Sequence, residues 1–169
     1  MIGLNERKAI HVAAGAGLMF LTYVAQPYLL PILFVLFIVF LLVMHESKEG
    51  VMKFLLPGLA APTVNYVAGL CIALPLLEMN EFRAVLVALA LSDSFAALFG
   101  KHHPIKRMSN GKSLGGAFAF FATCLLTFLF LPFPTFLIFA LALSLIELLT
   151  PLDDNLTIPV SGAILLYFL

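Results

Sequence analysis

LSDSFAALFGKHHPIKRMSNGKSLGG, residues 91–116, is the stretch whose reading decides the rest. Apolar sequence flanks it on both sides, yet it holds an aspartate, two histidines and four of the nine lysines and arginines in the chain. At helical spacing Asp93, Ala96, Ala97 and Gly100 form one stripe of small residues around a carboxylate. Small residues let another helix or a ligand approach closely.

The composition says what surrounds such a stretch. The chain has 169 residues, of which 63% are hydrophobic and 11% charged, and its mean hydropathy is +1.12. A soluble domain carries about a quarter charged residues. The expected fold is therefore all-α: a polytopic integral membrane helical bundle, a single transmembrane domain over residues 1–169. Cys71 and Cys124 fall inside apolar segments without CxxC spacing and read as packing residues. The charged start, Glu6-Arg7-Lys8, precedes an apolar run too long for a signal peptide, so it reads as a retained first helix.

A helix crossing ~30 Å of hydrocarbon needs roughly 20 apolar residues, with ~17 sufficient. Seven segments approach that length: 9–26, 27–44, 62–78, 82–100, 114–131, 134–150 and 155–169. Pro27 and the Leu131-Pro-Phe-Pro134 turn predict hairpins between the first and second segments and between the fifth and sixth. Pro57, Gly58 and Pro62 interrupt the approach to the third, so 53–61 reads as an interfacial or broken segment.

Charge sets the orientation. With the N-terminus inside, Arg7, Lys8, Lys48, Lys53, Lys101, Lys106, Arg107 and Lys112 fall on one side and Arg83 alone on the other. The N-terminus is expected in the cytoplasm, with residues 91–116 and the Asp153-Asp154 loop on that same face.

Four groups there can carry chemistry. Asp93 lies deep in the fourth segment, where an aspartate costs ~2.5–3.5 kcal/mol and must face protein, water or a metal. Asn110-Gly-Lys112-Ser113-Leu-Gly-Gly116 fails as a Walker A loop, because Lys106 occupies the place of its first glycine. It still predicts phosphate binding: Asn110 is expected to cap the fifth helix, whose N-terminus would offer free N–H groups beside Lys112 and Ser113. Asp153-Asp154-Asn155 forms a hard-oxygen cluster suited to Mg²⁺, although one aspartate is expected to be a helix cap. Pro159 leaves the Asn155 carbonyl without a helical donor, an oxygen expected to be free in the same place. Glu147 reads as a partner or cation ligand, or as a helix–helix hydrogen bond. Arg7 and His11, four apart, share a helix face. His102-His103 lack further ligands for zinc.

Arg7-Lys8-x-x-His11, Ser92-Asp93-Ser94-x-Ala96-x-x-x-Gly100-Lys101, Gly111-Lys112-Ser113-x-x-Gly116 and Asp154-Asn155-Leu-Thr-Ile-Pro159 occur in that order over nearly the whole chain. This resembles the CTP-dependent lipid-alcohol kinases: dolichol kinase, phytol kinase and the CTP-dependent diacylglycerol kinase, relatives of the CDP-diglyceride synthases. The chain departs from that pattern at Ala117, where a hydroxyl residue is common, and in being much shorter than the eukaryotic enzymes.

The resemblance implies transfer of the CTP γ-phosphate to the hydroxyl of a membrane lipid alcohol at the cytoplasmic face, with Mg²⁺. The lipid would be polyprenol-, dolichol- or phytol-like, or diacylglycerol. The implied catalytic residues are Asp93, Arg7 and Lys8, with Gly100, Lys112, Ser113, Gly116 and His11 at the nucleotide. Asp93, Asp153, Asp154 and Asn155 would face the metal. Asp93 is either the general base or a metal ligand. The expected partners are the lipid alcohol and a nucleoside triphosphate, with no nucleic acid; homo-oligomerisation stays open. The location would be the cell membrane, or an endoplasmic reticulum or plastid membrane in a eukaryote. Two other readings stand beside this one: a CTP:lipid-phosphate cytidylyltransferase using the same site, and a small transporter with Asp93 and Glu147 on an ion path. Against transport, the polar residues cluster at one face.

Overall fold

The structure is a computed structural model, described here over residues 4–46 and 60–169. Lys48, Lys53 and nearly all of the expected broken segment 53–61 lie outside the described residues. Among those described, the chain is all-helical, with no strand and one isolated β-bridge, Arg107 to Ser113.

The helices are α1 (Leu4–Val24), α2 (Leu29–Glu46), α3 (Ala60–Ala73), α4 (Met79–His102), α5 (Leu114–Cys124), α6 (Thr135–Leu149) and α7 (Asp154–Phe168). Short 3₁₀ turns extend α3 at Leu74–Leu76 and α5 at Leu125–Leu129. Pro27 stands in a further 3₁₀ turn, Gln26–Tyr28, and the chain bends there by 118° between α1 and α2. Proline fixes φ and removes a backbone donor, which ends one helix and starts the next. The Leu131–Pro134 turn, between α5 and α6, contains a cis Phe133–Pro134 peptide.

Among the described residues, α4 alone is by length and composition long and apolar enough to cross a membrane. α1 and α2 pass that test jointly across their bend, while α5, α6 and the α3 region form shorter apolar helices.

α4 is the centre of the bundle. Phe82, Ala84, Val85, Leu86, Ala88 and Leu89 are all buried, as expected for a helix that is apolar on every side. α1 runs antiparallel along it. Arg83 donates to Thr22 at one end, Gly15 meets Ala90 midway, and Lys8 meets Asp93 at the other. α5 and α7 pack on other faces of α4, and α3 packs on α7. Arg83, the one positive charge at the first end among the described residues, is spent on α1: it donates to the Thr22 carbonyl and hydroxyl and lies 3.9 Å over the Tyr23 ring.

Candidate functional site

Asp93 owes its position to a change of winding inside α4. From Ala88 to Ser92 the helix is π-helical, and the Asp93 N–H bonds to the Ala88 carbonyl, five residues back. The Leu89 carbonyl, four back, lies 3.2 Å from Nε2 of His11. Single π turns of this kind recur at functional sites. Asp93 is 3% exposed. Its Oδ2 accepts from Nζ of Lys8 at 2.5 Å and lies 3.8 Å from Nε2 of His11. The His11 ring meets Tyr66 edge-on, 4.6 Å between centroids.

The loop after α4 folds back over the start of α5. The Pro104 carbonyl accepts from Lys106 at 2.6 Å and from Gly115 at 3.2 Å. This is a three-residue turn with Ile105 at φ 55°, a conformation strained for a β-branched residue. Leu114 donates to the Lys106 carbonyl, Gly116 to Oγ of Ser113 and Ala117 to the Ser113 carbonyl.

Two expectations are corrected here. Ser113, not Asn110, caps α5, because the helix starts only at Leu114. Asn110 instead donates to the Leu148 carbonyl at 2.9 Å and accepts from the Lys112 N–H. The first four N–H groups of α5 are also not free for a phosphate, since the folded-back loop and Ser113 satisfy each of them. Only the partial charge of the helix end remains to an anion.

Lys112 reaches across to the α6–α7 connection. Its Nζ donates to the Glu147 carbonyl at 2.5 Å and to the Asp154 carboxylate, and lies 3.8 Å from Oε1 of Glu147. Glu147 is 6% exposed, and its Oε2 has no hydrogen-bond partner among the described residues. Asp154 stands ahead of the apolar run 155–169; burial pushes its carboxyl above the usual range, opposed by Lys112.

An open cavity of about 310 Å³ lies among these groups. Asp93, Glu147 and Asp154 supply its carboxylates, and Lys8, Lys101, Arg107 and Lys112 its cations. Ala96, Ala97, Gly100 and Gly116 form its small-residue wall. Comparison with protein-family models, curated proteins and solved structures returns no match. The chemistry of the site rests on its own geometry.

The expected residues divide. Lys8, Asp93, Gly100, Lys112, Ser113, Gly116 and Asp154 come together at the cavity. Gly100, Ser113 and Gly116 also make the α4–α5 contact. A Cβ on Gly100 would stand 2.6 Å from Oγ of Ser113 and 3.1 Å from Cα of Gly116. Arg7, His11 and Asn155 line a second cavity instead. Asp153 is exposed and accepts from the Asn155 N–H at 2.9 Å as the cap of α7. The Asn155 carbonyl, expected to be free for a cation, lies against Gly69 of α3: a Cβ there would be 2.9 Å from that oxygen. Pro159 packs on the same glycine, so the oxygen freed by the proline serves close helix packing.

Lys101 and Arg107, to which the sequence assigns no role in the site, both line the cavity. The one signal for Lys101 was its place directly after Gly100; nothing in the sequence separates Arg107 from Lys106.

Among the described residues no three His, Cys, Asp or Glu side chains form a ready metal site. The donor chemistry still fits Mg²⁺. That ion is usually held by one or two carboxylates together with substrate phosphates. Glu147 and Asp154 both line the cavity, and Oε2 of Glu147 is buried without a hydrogen-bond partner among the described residues.

Proposed function

We propose that the chain is a polytopic membrane enzyme of about seven spans, N-terminus in the cytoplasm. On this reading it transfers the γ-phosphate of CTP to the hydroxyl of a membrane lipid alcohol. One observation carries the reading: residues as distant as Lys8, Asp93, Lys112 and Asp154 converge on a single cavity at one end of an apolar bundle. The family resemblance of the motifs points the same way.

Phosphoryl transfer asks the protein to position two substrates and to neutralise charge. Lys112, Lys101 and Arg107 hold the triphosphate. Glu147 and Asp154 would hold Mg²⁺, which would supply neutralisation of phosphate charge. Lys112 lies between these two carboxylates, so it is the link between the cationic and the anionic halves of the site. Lys8 fixes the Asp93 carboxylate. The alcohol oxygen bonds to the γ-phosphorus as the bond to the β-phosphate bridging oxygen breaks. CDP departs with that oxygen, and the hydroxyl proton passes to Asp93.

A cytidylyltransferase is the second reading, favoured by one observation. A lipid phosphate needs more cations than an alcohol, and Lys101 and Arg107 add two at the cavity. The position of the transferred label separates the two. With purified protein, γ-labelled CTP should label the lipid and release CDP. Appearance of α-label in lipid with pyrophosphate released would establish the cytidylyltransferase, and transfer of neither label would remove both.

A further inference from the structure

The ammonium of Lys112 stands at the two carboxylates that would hold a cation in the main cavity. Its Nζ donates to the Asp154 carboxylate and, at 2.5 Å, to the Glu147 carbonyl, while Oε1 of Glu147 is 3.8 Å away. Both acidic residues line the cavity. One ammonium is an incomplete partner for this pair. The 3.8 Å separation is too long for a hydrogen bond, and Oε2 of Glu147 has no partner among the described residues. Two carboxylates match a divalent cation in charge, whereas one lysine matches only one of them.

The turn that carries Lys112 is fastened without its side chain. Met108 donates to the Lys112 carbonyl at 2.7 Å and Gly111 to the Met108 carbonyl at 3.0 Å. The Lys112 N–H donates to Oδ1 of Asn110 at 3.1 Å. Asn110 in turn donates to the Leu148 carbonyl at 2.9 Å, which pins the turn to the end of α6. Lysine carries a point charge on a flexible four-carbon stem. The ammonium can therefore leave the carboxylates while its backbone stays in place.

We infer that Lys112 couples the metal to the nucleotide: its ammonium competes with a divalent cation for Asp154 and Glu147 and, once displaced, turns to the triphosphate beside Lys101 and Arg107. The inference rests on the reading above for its choice of metal and nucleotide. Two cations repel at one carboxylate unless an anion stands between them, so neither ligand is held well alone. A metal without nucleotide displaces an ammonium that then meets no phosphate. A nucleotide without metal meets a lysine already engaged. Coupling between two ligands of one protein is typically about 5–150-fold.

The test is Mn²⁺ binding to the purified full chain in lipid nanodiscs without nucleotide, read as loss of the free-ion paramagnetic resonance signal. Lys112→Met should bind Mn²⁺ roughly tenfold more tightly than the parent. Its melting temperature should rise at Mn²⁺ concentrations that leave the parent's unmoved. Lys112→Gln keeps a donor for the Glu147 carbonyl and should gain as well, which guards against a fold weakened by methionine. Lys101→Met removes the same charge from the same cavity and should gain roughly threefold at most, since charges away from the carboxylates are screened. Lys112→Met with Asp154→Asn should lose the gain. In EDTA, Asp154→Asn should tighten CTP binding, and adding Lys112→Met should abolish that improvement. Failure of both Lys112 variants to gain, an equal gain in Lys101→Met, a Mn²⁺ gain that survives Asp154→Asn, or a CTP gain that survives without Lys112 would overturn the coupling. Mn²⁺ binding needs neither CTP nor lipid, so the two readings fail separately. Competition without γ-phosphate transfer removes the kinase and keeps Lys112 as the metal's competitor, whereas γ-transfer with unchanged Mn²⁺ binding does the reverse.

Discussion

Lys8 and Asp93, 85 residues apart, meet at 2.5 Å with the carboxylate almost fully buried and the ammonium at the edge of the cavity. The pair is asymmetric. Removing Lys8 leaves a buried charge unmatched, whereas removing the charge of Asp93 leaves a lysine within reach of water.

Lys8→Ala should therefore destabilise more than Asp93→Asn, by about 3–5 kcal/mol if the carboxylate stays charged. Asp93→Asn should abolish transfer while the protein remains inserted and melts near the parent temperature. The double variant Lys8→Met with Asp93→Asn should regain stability but not activity. Thermal melts in detergent beside γ-label transfer give both quantities, and an active Asp93→Asn protein would return Asp93 to a packing role.

Lys112 makes the second long connection, from the start of α5 to the Glu147 carbonyl and the Asp154 carboxylate. Lys112→Ala should weaken CTP binding at least tenfold. Arg107→Ala should weaken it less, and Lys106→Ala should leave it unchanged, since Lys106 does not line the cavity. Titration with CTP and Mg²⁺ checks the order; equal losses at positions 106 and 107 would reduce both to surface charge.

Helix placement was legible in the sequence because prolines and charged loops bound each apolar run. Pro27 and the Leu131–Pro134 turn fell where α1, α2, α5 and α6 end or begin. The local backbone was not legible. No residue type announces the π turn before Asp93, and nothing in Pro104-Ile105-Lys106 predicts a loop that consumes the N–H groups of α5. For the site, the polar residues stood out against a greasy background, but their grouping did not. Asp154 and Asn155 are neighbours in sequence and line different cavities.

Gly100 and Gly116 test whether a motif residue serves the ligand or the fold. A Cβ on Gly116 would lie 2.9 Å from the Ala96 carbonyl and 3.2 Å from Oγ of Ser113. Gly116→Ala must push α4 and α5 apart, a change that costs about 1–3 kcal/mol by overpacking. The expected outcome is a lower melting temperature with and without CTP. A protein that melts normally yet no longer binds CTP would assign Gly116 to the nucleotide instead.

The membrane reading turns on the two ends of α4. Its 24 residues rise about 36 Å at ~1.5 Å each, enough to cross ~30 Å of hydrocarbon. Asn80 stands at its first end beside Arg83, and Lys106 lies in the loop beyond its last. Among the described residues, one positive charge stands at the first end, while Lys101 lies in the last turn and Lys106, Arg107 and Lys112 beyond it; the bias places Lys106 in the cytoplasm and Asn80 outside. Single cysteines at 80 and 106, in a background with Cys71 and Cys124 replaced by Ala, should react with an impermeant maleimide from opposite sides of sealed vesicles. Labelling of both from the same side would mean that α4 does not span. The cavity would then have no defined face, and the case for a lipid acceptor would fall with it.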